Sequence, residues 1–181
     1  MSHPELQRET LDEMFSVAYE ELRRLAASVR RDDPGVTLSP TALVNEAWLR
    51  MQKERGLASK GRTQGLALAA QAMRRLLVDH GRHQKRQKRG GRIPHVELDE
   101  LMQAAKTSEV PVEDLLALEG ALTQLEAIDP RAAEVVSLRF FSGLSVPEVA
   151  EHMGVSARTV ESDWTHARAW LKRALAGSPS S

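Results

Sequence analysis

The chain has 181 residues, of which 41% are hydrophobic and 4% aromatic, so any core must be built mainly from Leu, Val and Ala. It contains no cysteine, which excludes disulfides and thiolate metal sites and fits a reducing compartment. The 25 basic and 25 acidic residues cancel, Met1 to Glu5 lacks the apolar run of a signal peptide, and no stretch reaches the ~18 apolar residues of a membrane span, so a soluble intracellular protein is expected.

Almost every segment with a clear period reads as helix. Leu11, Phe15, Ala18, Leu22, Leu25 and Val29 recur at steps of three and four, which is one apolar stripe of an amphipathic helix. Asp33-Pro34-Gly35 ends it. Ser39-Pro40 supplies an N-cap followed by proline at the first helical position, and the helix it starts carries Val44, Ala47, Trp48 and Met51 on one face. Gly56 to Gly65 reads as a loop. A longer helix follows, with Leu66, Ala69, Met73, Leu76 and Leu77 inward, and stops near Gly90-Gly91.

Residues 91 to about 111 show no clear period, so a linker is expected there. Helical spacing resumes with Leu115, Leu118, Leu122 and Leu125; Asp129-Pro130 caps the next helix, which ends near Gly143. Two further helices run to about Ala176, and the Gly-Ser-Pro-Ser-Ser end is expected to be disordered. The expected fold is therefore all-α: two small helical domains, over residues 8–91 and 113–176, joined by a flexible linker over 92–112, with a short tail over 177–181.

The neutral total hides a strong polarity. Arg74 to Arg92 holds eight Lys or Arg and one acid, Asp79, whereas Val96 to Gly120 holds seven acids and one base, Lys106. Such blocks point to a local anion-binding surface on an otherwise neutral chain. The basic run Arg82-His83-Gln84-Lys85-Arg86-Gln87-Lys88-Arg89 extends directly from an amphipathic helix and can track phosphates; alone it reads equally well as a solvated tail. No nucleophile elbow, phosphate-cradling glycine loop or metal-ligand spacing accompanies Asp79-His80, so no catalytic residue, metal or cofactor is expected.

The sharpest local signal is Leu144 to Ala169. Ser145-Val146-Pro147-Glu148 has the form of a capping box, a short helix follows, Met153-Gly154-Val155 makes a turn in which glycine permits a left-handed backbone, and Ser156 caps a second helix with Val160, Trp164, Ala167 and Leu171 inward. This is the spacing of a DNA-binding helix-turn-helix; an ordinary helical hairpin is the plainer reading. The outward face of the second helix offers Arg158, Thr159, Glu161, Ser162, Thr165, His166 and Arg168 to phosphates and base edges. Glu161 and Asp163 would repel phosphate, so at least one should face away. Trp164 and Trp170 fit a core better than a base-stacking platform.

Two helical domains, a basic helix end in the first and a helix-turn-helix in the second resemble the extracytoplasmic-function sigma factors of the sigma-70 family. Leu125 to Arg173, with Asp129-Pro130-Arg131, Leu138-Arg139-Phe140, Gly143-Leu144-Ser145 and Val155-Ser156-Ala157-Arg158-Thr159-Val160, is similar to sigma region 4. Leu43-Val44-Asn45-Glu46-Ala47-Trp48-Leu49-Arg50 resembles region 2.2, and Ala72 to His80 resembles regions 2.3 and 2.4. The resemblance implies that Leu43, Val44, Asn45, Glu46, Trp48, Leu49 and Arg50 dock on the clamp helices of the polymerase β′ subunit. It implies that Arg74, Arg75, Asp79, His80, Arg82, His83, Lys85 and Arg86 engage the −10 element, and that the helix from Ala157 reads the −35 element. Its partners would be core RNA polymerase, through the β′ clamp helices and the β flap, and promoter DNA.

Two departures from the family pattern matter. Many relatives carry carboxylates at the start of region 2.2, where this chain has Ser39-Pro40-Thr41-Ala42; and Gln64-Gly65-Leu66-Ala67 lacks the aromatics common early in region 2.3. An uncharged docking edge would bind a basic clamp weakly. A phosphoryl group, which brings about −1.5 to −2 charges, would restore the charge, so a Ser/Thr kinase acting on Thr41, or on Thr37 or Ser39, is an expected regulator. The competing reading is a stand-alone helix-turn-helix regulator that binds paired half-sites without polymerase; a helical adaptor with a nucleic-acid tail is another.

Overall fold

In the computed structural model, the described residues are Tyr19, Arg23, Arg24, Ala26 and Ala27, and residues 40–53, 62–87, 97–107 and 110–176. Among them lie seven helices and no strand: α1 Pro40–Gln52, α2 Arg62–Gln87, α3 Leu98–Thr107, α4 Val112–Ile128, α5 Pro130–Ser142, α6 Val146–Met153 and α7 Ala157–Ala176. The all-α expectation holds. The N-terminal stripe of Leu11, Phe15, Ala18, Leu22, Leu25 and Val29 lies outside the described residues; Ala26, in the same segment, is fully buried. Residues 177–181 lie outside them too.

The helix boundaries follow from local chemistry where capping residues are present. Asp129 accepts a hydrogen bond from the Ala132 amide at 3.1 Å, with Pro130 at the first helical position of α5. α5 ends on Gly143 at φ 65°, and α6 ends on Gly154 at φ 66°; both are left-handed positions that a Cβ disfavours. Ser145 and Glu148 form the reciprocal capping box at the start of α6, the Ser145 amide donating to Glu148 Oε2 at 2.8 Å. Ser156 Oγ accepts from the Thr159 amide at 3.1 Å and so caps α7.

Two stretches differ from the expectation. Residues 98–107, expected within a linker of no regular structure, form α3, with Leu98, Leu101 and Ala105 buried. Three buried positions in a ten-residue helix give too short a stripe to register as a period, and the acids around them mask it. α2 begins at Arg62, inside the stretch from Gly56 to Gly65 expected as a loop, because Thr63 and Gln64 continue the helix without joining its apolar stripe.

α1 packs on α2, and α2 packs in turn on α4, α5 and α6. α7 lies against α4, α5 and α6 and touches α3. Buried residues from both halves, Leu43, Met73 and Leu77 with Leu118, Leu122, Val136, Phe141 and Leu171, belong to one continuous apolar cluster. Within it Phe140 and Phe141 meet edge to face, ring centroids 4.9 Å apart, a favoured arrangement for aromatic quadrupoles. None of the described helices is long and apolar enough to cross a membrane.

Candidate nucleic-acid interface

α7 has two faces of opposite character. Val160, Asp163, Ala167 and Leu171 are buried, and Trp164 and Trp170 pack partly buried against the core, as expected for those rings. Arg158, Glu161, Ser162, Thr165, His166 and Arg168 are exposed. Thr159 is half-buried and tied to the cap, its hydroxyl 2.8 Å from that of Ser156, so it supports the helix start more than it offers a free contact. Thr165 Oγ1 donates to the Glu161 carbonyl at 2.9 Å, which leaves its oxygen lone pairs and methyl group outward.

The inward acid settles the electrostatic puzzle posed by two carboxylates on this helix. Asp163, only 3% exposed, receives two hydrogen bonds from the Arg131 guanidinium, Nε to Oδ2 at 2.6 Å and Nη2 to Oδ1 at 2.9 Å. This bidentate geometry holds the Arg131 pKa above its ordinary value, through the hydrogen bond first and the charge of Asp163 second. Asp163 thus faces away from any nucleic acid, and Glu161 is the one acid on the outer surface of that turn. A buried carboxylate demands a cation, so the position of Asp163 between Val160 and Ala167 was itself a signal that an arginine elsewhere must reach it.

Beneath α7, the Arg139 guanidinium sits 4.1 Å from the Trp164 ring centroid, a cation–π arrangement. Burial lowers the Arg139 pKa, and the negative charge of Asp99 partly offsets this. His152, at the end of α6, lies 3.7 Å from Glu134 of α5. These contacts fix α6 and α7 on α5.

At the basic end of α2, Arg75, Asp79, Arg82, His83 and Arg86 are exposed along the helix. The side chains of His80 and Lys85, and the whole of Lys88 and Arg89, lie outside the described residues. Arg74 departs from its expected place among DNA-facing groups: its side chain is 15% exposed, with Nε 2.5 Å from Glu119 and Nη1 3.1 Å from Ser137. It faces the second half of the chain because it lies one residue beyond Met73, at the edge of the buried stripe.

On α1, Thr41, Asn45, Leu49 and Arg50 are exposed, and Glu46 and Trp48 are partly so. Arg50 donates to Glu46 at 2.8 Å along the helix. Leu49 is 59% exposed, one of two large apolar side chains in that state among the described residues. Leu43 and Val44 do not join this surface: at 1% and 0% exposure they are core residues, and they can serve a docking surface only by holding α1 in place. Thr37 and Ser39 lie outside the described residues. A shallow groove between α1 and α2 is lined by Arg50, Met51, Leu68, Gln71, Ala72 and Arg75, which brings an arginine of each expected surface to one place. No group of side chains among the described residues could hold a metal ion.

A family model for ECF sigma factors matches residues 7–177. The chain belongs to the ECF sigma factor family. No curated protein and no solved structure matches it. As an ECF sigma factor it is a transcription initiation factor, with core RNA polymerase and promoter DNA as its partners. The match spans both the α1–α2 half and the α4–α7 half, including α3 between them.

Proposed function

We propose that this ECF sigma factor reads promoter DNA through α7 and the outer end of α2, and docks on polymerase through α1. The observation that carries the reading is the outward row on α7, where Arg158, Ser162, Thr165, His166 and Arg168 are exposed together on a capped helix whose one buried acid is neutralised from behind. An α-helix fits the major groove of B-DNA, and such side chains reach base edges and phosphates. α6 and α7 then form a helix-turn-helix that reads the −35 element, in a second domain that also meets the β flap. Arg75, Arg82, His83 and Arg86, with His80 and Lys85, engage the −10 element. Asn45, Glu46, Trp48, Leu49 and Arg50 meet the β′ clamp helices.

The deciding experiment adds the purified chain to core polymerase. A stable complex and new promoter-specific initiation are expected, whereas a stand-alone regulator would give neither. Within that assay, Arg158→Ala and Arg168→Ala should each lose about 1–3 kcal/mol of sequence discrimination where they meet a base, or weaken all promoters alike where they meet a phosphate. Unchanged −35 dependence in both variants, with the fold intact, would remove α7 from the reading role. Neutralising Lys85, Arg86, Lys88 and Arg89 should lower the salt slope of promoter binding by about one unit per lost phosphate contact.

The same reading extends to control by phosphorylation. The first turn of α1 holds no acid, and Thr41, within it, is exposed. A phosphoryl group there would meet the favourable end of the helix dipole and supply negative charge at the docking edge. Wild type should bind polymerase more tightly after treatment with kinase-active extract, and Thr41→Ala should not respond. A response that persists in Thr41→Ala moves the site to Thr37 or Ser39. Tight binding by untreated protein, with no effect of extract, ends the switch idea.

A further inference from the structure

α3 lies against one flank of α7, with the carboxylates of Asp99 and of Glu97, the residue just before α3, on that helix's cations. Asp99 Oδ2 is 2.9 Å from Arg168 Nη1, and Glu97 Oε1 is 2.9 Å from Lys172 Nζ. The Glu97 contact raises the Lys172 pKa, through the hydrogen bond first and the charge second. At 100° per residue, Arg168, Glu161 and Lys172 share one flank of α7, adjoining the row that holds Arg158 and Thr165. Leu98, Leu101 and Ala105 are buried, so α3 is seated by its apolar stripe and presents its acids sideways. Arg74 of α2 is engaged in the same manner, by Glu119 and Ser137, with Glu126 3.9 Å away. Cations of α7 and of α2 are therefore held by acids from residues 97–126.

A carboxylate oxygen 2.9 Å from a guanidinium or ammonium nitrogen occupies the position that a phosphate oxygen of DNA would take. We infer that α3 is an internal phosphate mimic: it competes with promoter DNA for the Arg168–Lys172 flank of α7, holding the free chain in a self-inhibited state until DNA or polymerase displaces it. The inference rests on the DNA-facing reading of α7. Both ion pairs are substantially exposed, so each is weak and screened by salt. α3 therefore sets a threshold for DNA binding and does not block it outright. Because it is part of the same chain, its local concentration does not fall on dilution, whereas that of a nonspecific duplex does.

The test uses the full chain and a fluorescent, short, mixed-sequence DNA duplex at low salt. Glu97→Gln/Asp99→Asn should bind about tenfold more tightly than wild type, from two pairs each worth up to about a few-fold, with the advantage shrinking as salt is raised. Glu113→Gln/Glu134→Gln, which removes the same net charge away from the contact and outside the helix-turn-helix, is the control and should gain less than about twofold. Equal gains in the two variants, or none in the first, overturn the inference. Arg158→Ala separates the two readings. If it loses binding while Glu97→Gln/Asp99→Asn gains none, α7 remains the DNA helix and α3 is not its inhibitor; if it binds like wild type, both fall. A second measurement needs no variant: amide hydrogen exchange across Leu98–Thr107 should speed up when the duplex is added to wild type. Unchanged or slowed exchange there overturns the displacement.

Discussion

α5, α6 and α7 state their own boundaries, and the described residues of α1 and α2 borrow their order from the helices they pack on. α5, α6 and α7 each begin on a side chain that bonds the first free amides, Asp129, Ser145 and Ser156, and α5 and α6 each end on a left-handed glycine. α1 and α2 are each preceded by residues outside the described ones. Their order comes from burial, with Leu43, Val44, Ala47 and Met51 set against the stripe of Leu66, Ala69, Met73 and Leu77. A helix that must present side chains in a fixed register gains from ends defined locally. A helix held chiefly by packing keeps its place only while the surface beneath it does.

That contrast can be broken most forcefully in the core. Met73→Ala, at a fully buried position of α2, should cost about 2–5 kcal/mol by removing apolar contacts and leaving a cavity. Because the buried cluster runs through both halves, urea unfolding followed by tryptophan fluorescence and by helical circular dichroism should stay coincident. Divergent transitions would show that α1–α2 can melt alone, and the borrowed-boundary account would need two cores. At the turn between α6 and α7, Gly154→Ala has open space for its Cβ but a φ of +66°, so it should cost about 1–2 kcal/mol from backbone strain alone. Ser145→Ala removes the capping box and should cost about 1 kcal/mol.

Gly120 tests the same logic with the opposite sign. It lies inside α4, and a Cβ added there would meet nothing within 4 Å, so Gly120→Ala should stabilise the chain by about 0.5–1 kcal/mol. Equal signs at Gly120 and Gly154 in thermal unfolding would show that space, and not backbone conformation, governs these glycines. The smallest expected effect is on pH. The Lys172 pKa is raised by Glu97, so the Glu97–Lys172 pair is fully present below the ordinary lysine range and is lost as pH rises through the raised value, while the Asp99–Arg168 pair persists. Once the intrinsic base-catalysed rise in amide exchange is divided out, protection in α3 should therefore fall only at strongly alkaline pH.

What the sequence revealed follows the same division. The starts of α5, α6 and α7 were legible to the residue because Asp129, Ser145, Gly154 and Ser156 act within a few positions of themselves. The outward face of α7 was legible because its buried positions keep a strict helical spacing. α3 was not, since its short apolar stripe acquires meaning only against α7. The place of Arg74 was not, because its partners Glu119 and Ser137 lie 45 and 63 positions along the chain. Leu43 and Val44 were assigned to a docking surface on the strength of a motif, yet a motif names a helix without saying which of its sides is already occupied.

The Arg131–Asp163 pair has a consequence for how specificity can change. A helix can be aimed wrongly in two ways, by sliding along its axis or by rolling about it, and a fork of two parallel hydrogen bonds resists both. With Asp163 anchored to the start of α5, α7 cannot roll without breaking this half-buried pair. Exposed positions such as Arg158, Ser162 and His166 can therefore be exchanged while the aim of the helix stays constant. New preferences for whatever surface α7 faces become accessible by single substitutions, each altering one contact and leaving the others where they were.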